Sequence, residues 1–138
     1  ILLSWPIALD ILADKKLNES VDTKSNELKS VNQEWLISVY TVVEENYSNP
    51  AFGTRLVAKA LFISERNFQR KFKQLTQRSF MEYLIDVKLE KACELLIAGS
   101  KVADAAFDSG FNDPSYFSKR FKRHYGLSPT QFVSENEE

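Results

Sequence analysis

The side chains with the most chemistry to offer sit in two runs of one pattern, Phe68-Gln69-Arg70-Lys71-Phe72-Lys73 and Phe117-Ser118-Lys119-Arg120-Phe121-Lys122. Each reads phenylalanine, polar residue, two bases, phenylalanine, lysine. Guanidinium, ammonium and amide groups at this density donate hydrogen bonds to oxyanions and to the edges of heterocycles. On an α-helix two phenylalanines four apart share one face and pack inward, so the residues around them project a cationic face outward. A single run is a weak signal, since most charge runs are solvated surface. Two in one register are a strong one. A basic helix anchored by aromatics and preceded by a short helix is how a helix-turn-helix offers a recognition helix to the DNA major groove.

The elements that position these runs follow from periodicity and helix punctuation. Trp35, Leu36, Val39, Tyr40, Val43 and Tyr47 trace an amphipathic helix that ends before the turn signal Asn49-Pro50. A short helix is expected from about Thr54 to Leu61, burying Leu56, Val57, Ala60 and Leu61. Ser64 caps the first basic helix, roughly 65–76, with Phe68, Phe72 and Leu75 inward. Ser79 with Glu82 fits a capping box for a long helix, about 80–97, closed by Gly99. Ser100 is placed to cap the next helix, Lys101 to Ser109, and Gly110-Phe111-Asn112 to form the turn after it. Asp113-Pro114 starts the second basic helix, which Gly126 stops after Tyr125, and Ser128-Pro129-Thr130-Gln131 repeats the cap logic. The fold class is therefore all-α, with two helix-turn-helix modules joined by a long central helix. Phe107, Phe111, Phe117 and Phe121 are expected in the core.

Charge is segregated along the chain. The net charge is −1, but from Thr54 to Val133 fourteen bases face eight acids, a local +6, whereas the first fifty residues carry −4. That is the distribution a DNA-binding face requires. The single cysteine, Cys93, excludes an internal disulfide and a cysteine-rich zinc site, and its spacing with Leu89, Ala92 and Leu96 marks a buried structural thiol. His124 has no evident partner nearby in sequence and reads as a helix-terminal cation or phosphate neighbour. The four glycines are isolated and no His-Glu-x-x-His occurs, so the sequence offers no enzyme chemistry, and neither a metal nor a cofactor is expected.

Domain organisation reads as 1–31, linker or remnant of an upstream region; 32–133, the helical DNA-binding domain; and 134–138, an acidic tail. The apolar run 1–12 is interrupted by Pro6 and Asp10 and is too short to span a bilayer alone. The start at Ile1 points to a piece of a longer protein.

These residues bring a family into view. From about Trp35 to Val133, about seventy per cent of the chain, the sequence resembles the DNA-binding domain of the AraC/XylS transcription regulators. The most specific match is Ala106-x3-Gly110-Phe111-Asn112-Asp113-x-Ser115-Tyr116-Phe117-Ser118-x2-Phe121-Lys122-x2-Tyr125-Gly126-x-Ser128-Pro129-x2-Phe132. The first module, Leu56-Val57-Ala58-x5-Ser64-x3-Phe68-x-Arg70-x-Phe72-Lys73, matches more loosely. Gln77-Arg78 departs from the pattern, in which glycine often follows the first recognition helix. Residues 1–34 are too few to make the ligand-binding β-barrel that many members carry. The Ser64-to-Thr76 stretch also looks like the output domains of hybrid two-component sensors.

The resemblance implies roles. Arg66, Gln69 and Arg70 take base-facing positions, where arginine reads guanine and glutamine reads adenine. Ser115, Tyr116, Ser118 and Lys119 are their counterparts, although Tyr116 fits equally against the core beside Phe117. Ser64, Lys71, Lys73, Arg120, Lys122 and Arg123 are expected at backbone phosphates. The implied partners are double-stranded DNA, RNA polymerase and an upstream sensory or dimerisation domain, with no membrane contact by residues 32–133 and a cytoplasmic location. An activating role is the commonest in the family. The alternative is a helical protein–protein adaptor whose basic helices bind an acidic partner; gel shift with random duplex, with and without salt, discriminates the two.

Overall fold

The computed structural model describes residues 23–136, all of whose regular elements are helices: α1 (Thr23–Asn46), α2 (Thr54–Ala60), α3 (Glu65–Thr76), α4 (Phe80–Ile97), α5 (Val102–Asp108), α6 (Pro114–Tyr125) and α7 (Pro129–Asn136). The apolar run 1–12 lies outside the described residues. The helix α1 begins ahead of the boundary expected at residue 32, so much of the polar stretch read as linker or exposed helix is its first half.

The chain divides into two compact units, one comprising 23–45 with Gly53–Phe80, the other Asn46–Phe52 with 81–136. The core of the first is built from the periodic face of α1 (Leu36, Val39, Tyr40, Val43), Val57 and Ala58 of α2, and Phe68, Phe72 and Phe80. Phe80 meets Phe68 and Phe72 edge-on, with ring centroids 4.9 and 5.4 Å away, a geometry that sets the positive ring edge against the negative face. Leu56 and Leu61 are only half-buried and Ala60 is exposed, because the inward stripe of so short a helix has room for little beyond Thr54, Val57 and Ala58.

The second unit has its own core: Ile85, Leu89, Ala92, Cys93 and Leu96 of α4, Ala105 and Ala106 of α5, then Phe111, Phe117 and Phe121, flanked by Tyr125 and Phe132. Phe107, expected there, is 68% exposed. With Ala105, Ala106 and Ser109 inward, the helical turn of 100° per residue carries position 107 to the opposite side.

Local punctuation explains most boundaries. Ser64 Oγ accepts the Asn67 N–H at 3.1 Å, and Asp113 Oδ1 accepts from the N–H groups of Ser115 (3.0 Å) and Tyr116 (3.3 Å). Ser128 and Gln131 form a reciprocal capping box at 3.2 and 3.0 Å. Ser100, expected to cap α5, does not: Lys101 holds that position in extended backbone with no side-chain cap bond. Ser100 instead donates its N–H to Leu95 O at 2.9 Å, closing α4.

Candidate nucleic-acid interface

Phe68 and Phe72 are wholly buried, which drives the residues on the other side of α3 into solvent. Arg66, Gln69, Arg70 and Lys73 are all exposed, and with Gln74 and Gln77 they line an open groove of ≈ 630 Å³. The sequence reading missed Gln74 and Gln77. Their signal was the continuation of the same helical stripe, Gln74 four residues beyond Arg70 and Gln77 four beyond Lys73. Gln77 stands where a glycine was to be expected, and it adopts glycine's conformation. Its backbone is left-handed (φ 64°), its N–H reaches Lys73 O at 2.8 Å, and its side-chain Nε2 donates to Gln74 O at 3.1 Å. The helix end is thereby closed by the side chain itself.

The two basic helices are entered by related turns. In the first unit the Phe62 N–H donates to Lys59 O and the Ile63 N–H to Ala58 O, at 3.2 and 3.1 Å. In the second, Gly110 donates to Phe107 O and Phe111 to Ala106 O, at 3.1 and 3.0 Å. Phe62 (φ 58°) and Gly110 (φ 98°) occupy the same left-handed position. The second turn holds an extra residue, Asn112, before its cap. Phe62 is 97% exposed. Gly110, in contrast, is pressed so closely on the chain that a Cβ there would lie 2.2 Å from Tyr47 O.

A buried lysine secures that second turn. Lys88 of α4 is only 8% exposed, and its Nζ donates to Gly110 O at 3.1 Å while lying 5.9 Å from the centre of the Phe111 ring. Burial disfavours the ammonium and holds its pKa below the usual lysine value. Burial likewise pushes the Cys93 thiol up, away from the reactive thiolate, so the structural reading of that cysteine stands.

Most predicted site residues face solvent: Ser64, Arg66, Gln69, Arg70 and Lys73 in the first unit, and Ser115, Tyr116, Lys119, Lys122 and Arg123 in the second. Tyr116 is 43% exposed with its ring 6.4 Å from that of Phe111, so it rests on the core edge with its outer part accessible. Ser118 is half-buried. Two predicted phosphate ligands are engaged elsewhere. Lys71 is half-buried with Nζ 4.5 Å from the centre of the Trp35 ring, and an Arg120 Nη donates to Glu82 Oε2 at 3.0 Å. His124 approaches a carboxylate after all, that of Asp86 at 3.6 Å, thirty-eight residues back in the sequence and so invisible to a local search.

Among the described residues no helix is long and apolar enough to cross a membrane. A family model described as a helix-turn-helix domain matches residues 57–135. An uncharacterised HTH-type transcriptional regulator from the cgkA 5′ region of Pseudoalteromonas carrageenovora is 28% identical over 129 residues, 93% of this chain and 76% of that protein. Histidine kinase P4 of Formosa agariphila is 25% identical over 112 residues, which span 80% of this chain and 8% of the kinase. Among solved structures, the DNA-binding domain of AdpA, a global transcriptional factor in complex with a target DNA, matches with a TM-score of 0.67 and 27% identity. That match covers 72% of this chain and 90% of the other.

Proposed function

The chain belongs to the AraC/XylS family of transcription regulators, as a helix-turn-helix DNA-binding domain, and from that premise we propose that α3 and α6 each enter a major-groove segment of one duplex site. The observation that carries this reading is the groove on α3, where arginine, glutamine and lysine side chains converge on the face opposite two buried phenylalanines. Arg66, Gln69 and Arg70 read base edges, while Lys73, Lys122 and Arg123 neutralise phosphates, with Ser64 at the backbone beside the start of α3. Ser115, Tyr116, Ser118 and Lys119 face the second segment. Serine and lysine discriminate bases poorly, so that half binds more by backbone and groove shape.

The domain works within a longer regulator, where an upstream sensory or dimerisation region governs it and RNA polymerase receives the output, most simply as activation in the cytoplasm. The match to a small fraction of a histidine kinase supports a hybrid two-component sensor as one such setting.

Selection of bound sequences from a random duplex pool tests the reading directly. A non-palindromic site with two unlike halves is expected. On it, Arg70→Ala should relax preference at one or two positions and cost about 1–3 kcal/mol, whereas Lys73→Ala weakens selected and random duplex alike. Taking the local excess of six positive charges as about six phosphates neutralised, with Arg66, Arg70 and Lys119 contributing beside the three phosphate ligands, log K should fall against log salt with a slope near −5. A pool that yields no enriched sequence, or a slope near −1, refutes the two-helix footprint and favours an acidic protein partner.

A further inference from the structure

Each repeat of the basic pattern contains one cation that is half-buried where the others are exposed, and it is the same one in both. Lys71 and Arg120 each precede the second phenylalanine of their run, one helical step from a buried ring. That step places them at the margin of the buried face, whereas Lys73 and Lys122, one residue beyond the phenylalanine, are exposed. We propose that Lys71 and Arg120 are positioning residues rather than DNA ligands, each fastening its recognition helix to the helix beneath it. This rests on the DNA-binding reading above.

The contacts differ in chemistry but agree in direction. Lys71 lays its ammonium over the face of Trp35 on α1, a ring that also packs on Phe68 with centroids 5.6 Å apart. Arg120 forms a charge-assisted bond to Glu82 of α4, and its side chain is only 15% exposed. One turn further on, His124 Nδ1 lies 3.6 Å from Asp86 Oδ1, one turn along α4, a second approach of α6 to α4 that is an ion pair when the imidazole is protonated. For the same Arg120 nitrogen to bind a phosphate it would have to give up its bond to Glu82, whose own side chain is 54% exposed. The arrangement therefore opposes the phosphate role at the same time as it orients the helix.

The salt dependence of binding separates a ligand from a brace. Lys71→Gln, Arg120→Gln, Lys73→Gln and Glu82→Gln are compared on a selected duplex and on random duplex over a range of salt. Removing a phosphate ligand lowers the magnitude of the slope by about 0.9, and this is expected of Lys73→Gln. Lys71→Gln and Arg120→Gln should leave the slope unchanged, yet weaken the selected site by about two- to tenfold and random duplex less. Glu82→Gln gives the opposite sign under the two roles. A brace predicts that it weakens selected binding as Arg120→Gln does; a phosphate ligand predicts that losing an acid and releasing Arg120 strengthens it. Arg120→Lys, which keeps an ion pair with Glu82, should restore most of the affinity while melting stays within a few degrees of the parent. A slope reduced by about 0.9 in Lys71→Gln or Arg120→Gln, or tighter binding by Glu82→Gln, overturns the proposal. A parent slope near −1, which Lys73→Gln leaves unchanged as well, overturns the DNA reading, and this proposal with it.

Discussion

Replacing Gly110 with alanine isolates the close approach of Tyr47 to the second entry turn. The backbone there has φ +98°, and an added Cβ would lie 2.2 Å from Tyr47 O and 3.2 Å from Lys88 Cε. Left-handed backbone costs an ordinary residue about 1–2 kcal/mol. Relieving the overlap requires a shift of backbone by roughly an ångström, and such overpacking costs about 1–3 kcal/mol. Alanine also restricts the unfolded chain, which returns about 0.4–1 kcal/mol. The net loss is about 2–4 kcal/mol, large against the stability of a small domain. Gly99→Ala is the matched control, since Gly99 has φ +102° but nothing within 4 Å of its would-be Cβ. It bears the conformational part alone, about 1 kcal/mol after the same offset. Urea unfolding followed by circular dichroism on both variants measures the difference. Equal losses would refute the close approach of Tyr47 to the turn, and with it the account of how that turn is held.

Three further outcomes follow from single contacts. Asp113→Ala should lose about 0.5–2 kcal/mol, because two N–H groups at the start of α6 lose their acceptor; an unchanged melting curve would place the helix start elsewhere. Phe107→Ser should change stability by less than about 0.5 kcal/mol, while Phe117→Ala, at a wholly buried ring, should cost about 3–5 kcal/mol in the same melts. Burial pushes the Tyr40 phenol up to about 12 from 10.0, with Arg78 pulling the other way. The folded state thus keeps it neutral where the unfolded chain ionises. The resulting stability is complete below about pH 10 and lost as pH rises towards 12, amounting to about 2–3 kcal/mol. Urea midpoints between those pH values should fall less steeply in Tyr40→Phe than in the parent.

The sequence disclosed much of what is decided within four or five residues, though not the start of α5, where Lys101 and not Ser100 holds the cap position. The caps at Ser64, Asp113 and Ser128, the stop at Gly126 and the inward pairs Phe68/Phe72 and Phe117/Phe121 obey helix geometry alone, and all were readable. Exposure of the groove residues followed from those inward pairs. What stayed hidden depends on partners remote in the chain. Arg120 and Glu82 are thirty-eight residues apart, Lys88 and Gly110 twenty-two, and nothing local marks either bond. Phe107 failed for another reason. An aromatic ring suggests burial, but in a helix of seven residues phase decides which side chain has a core to enter.

The two units also distribute their means differently. The α3 face carries arginine and glutamine, whose paired donors, on the proposed reading, reward correct bases individually. Its entry turn includes an exposed phenylalanine in left-handed backbone. The α6 face offers serine, tyrosine and lysine, which discriminate little one by one. It is also the helix held at its entry turn by Lys88 and along its length by Glu82 and Asp86. A surface that recognises groove shape gains specificity only if it is presented without give, because a mobile helix would accommodate many shapes at similar energy. On the proposed reading, the Lys88, Glu82 and Asp86 contacts present the α6 side chains to the duplex as Lys71 over Trp35 presents those of α3.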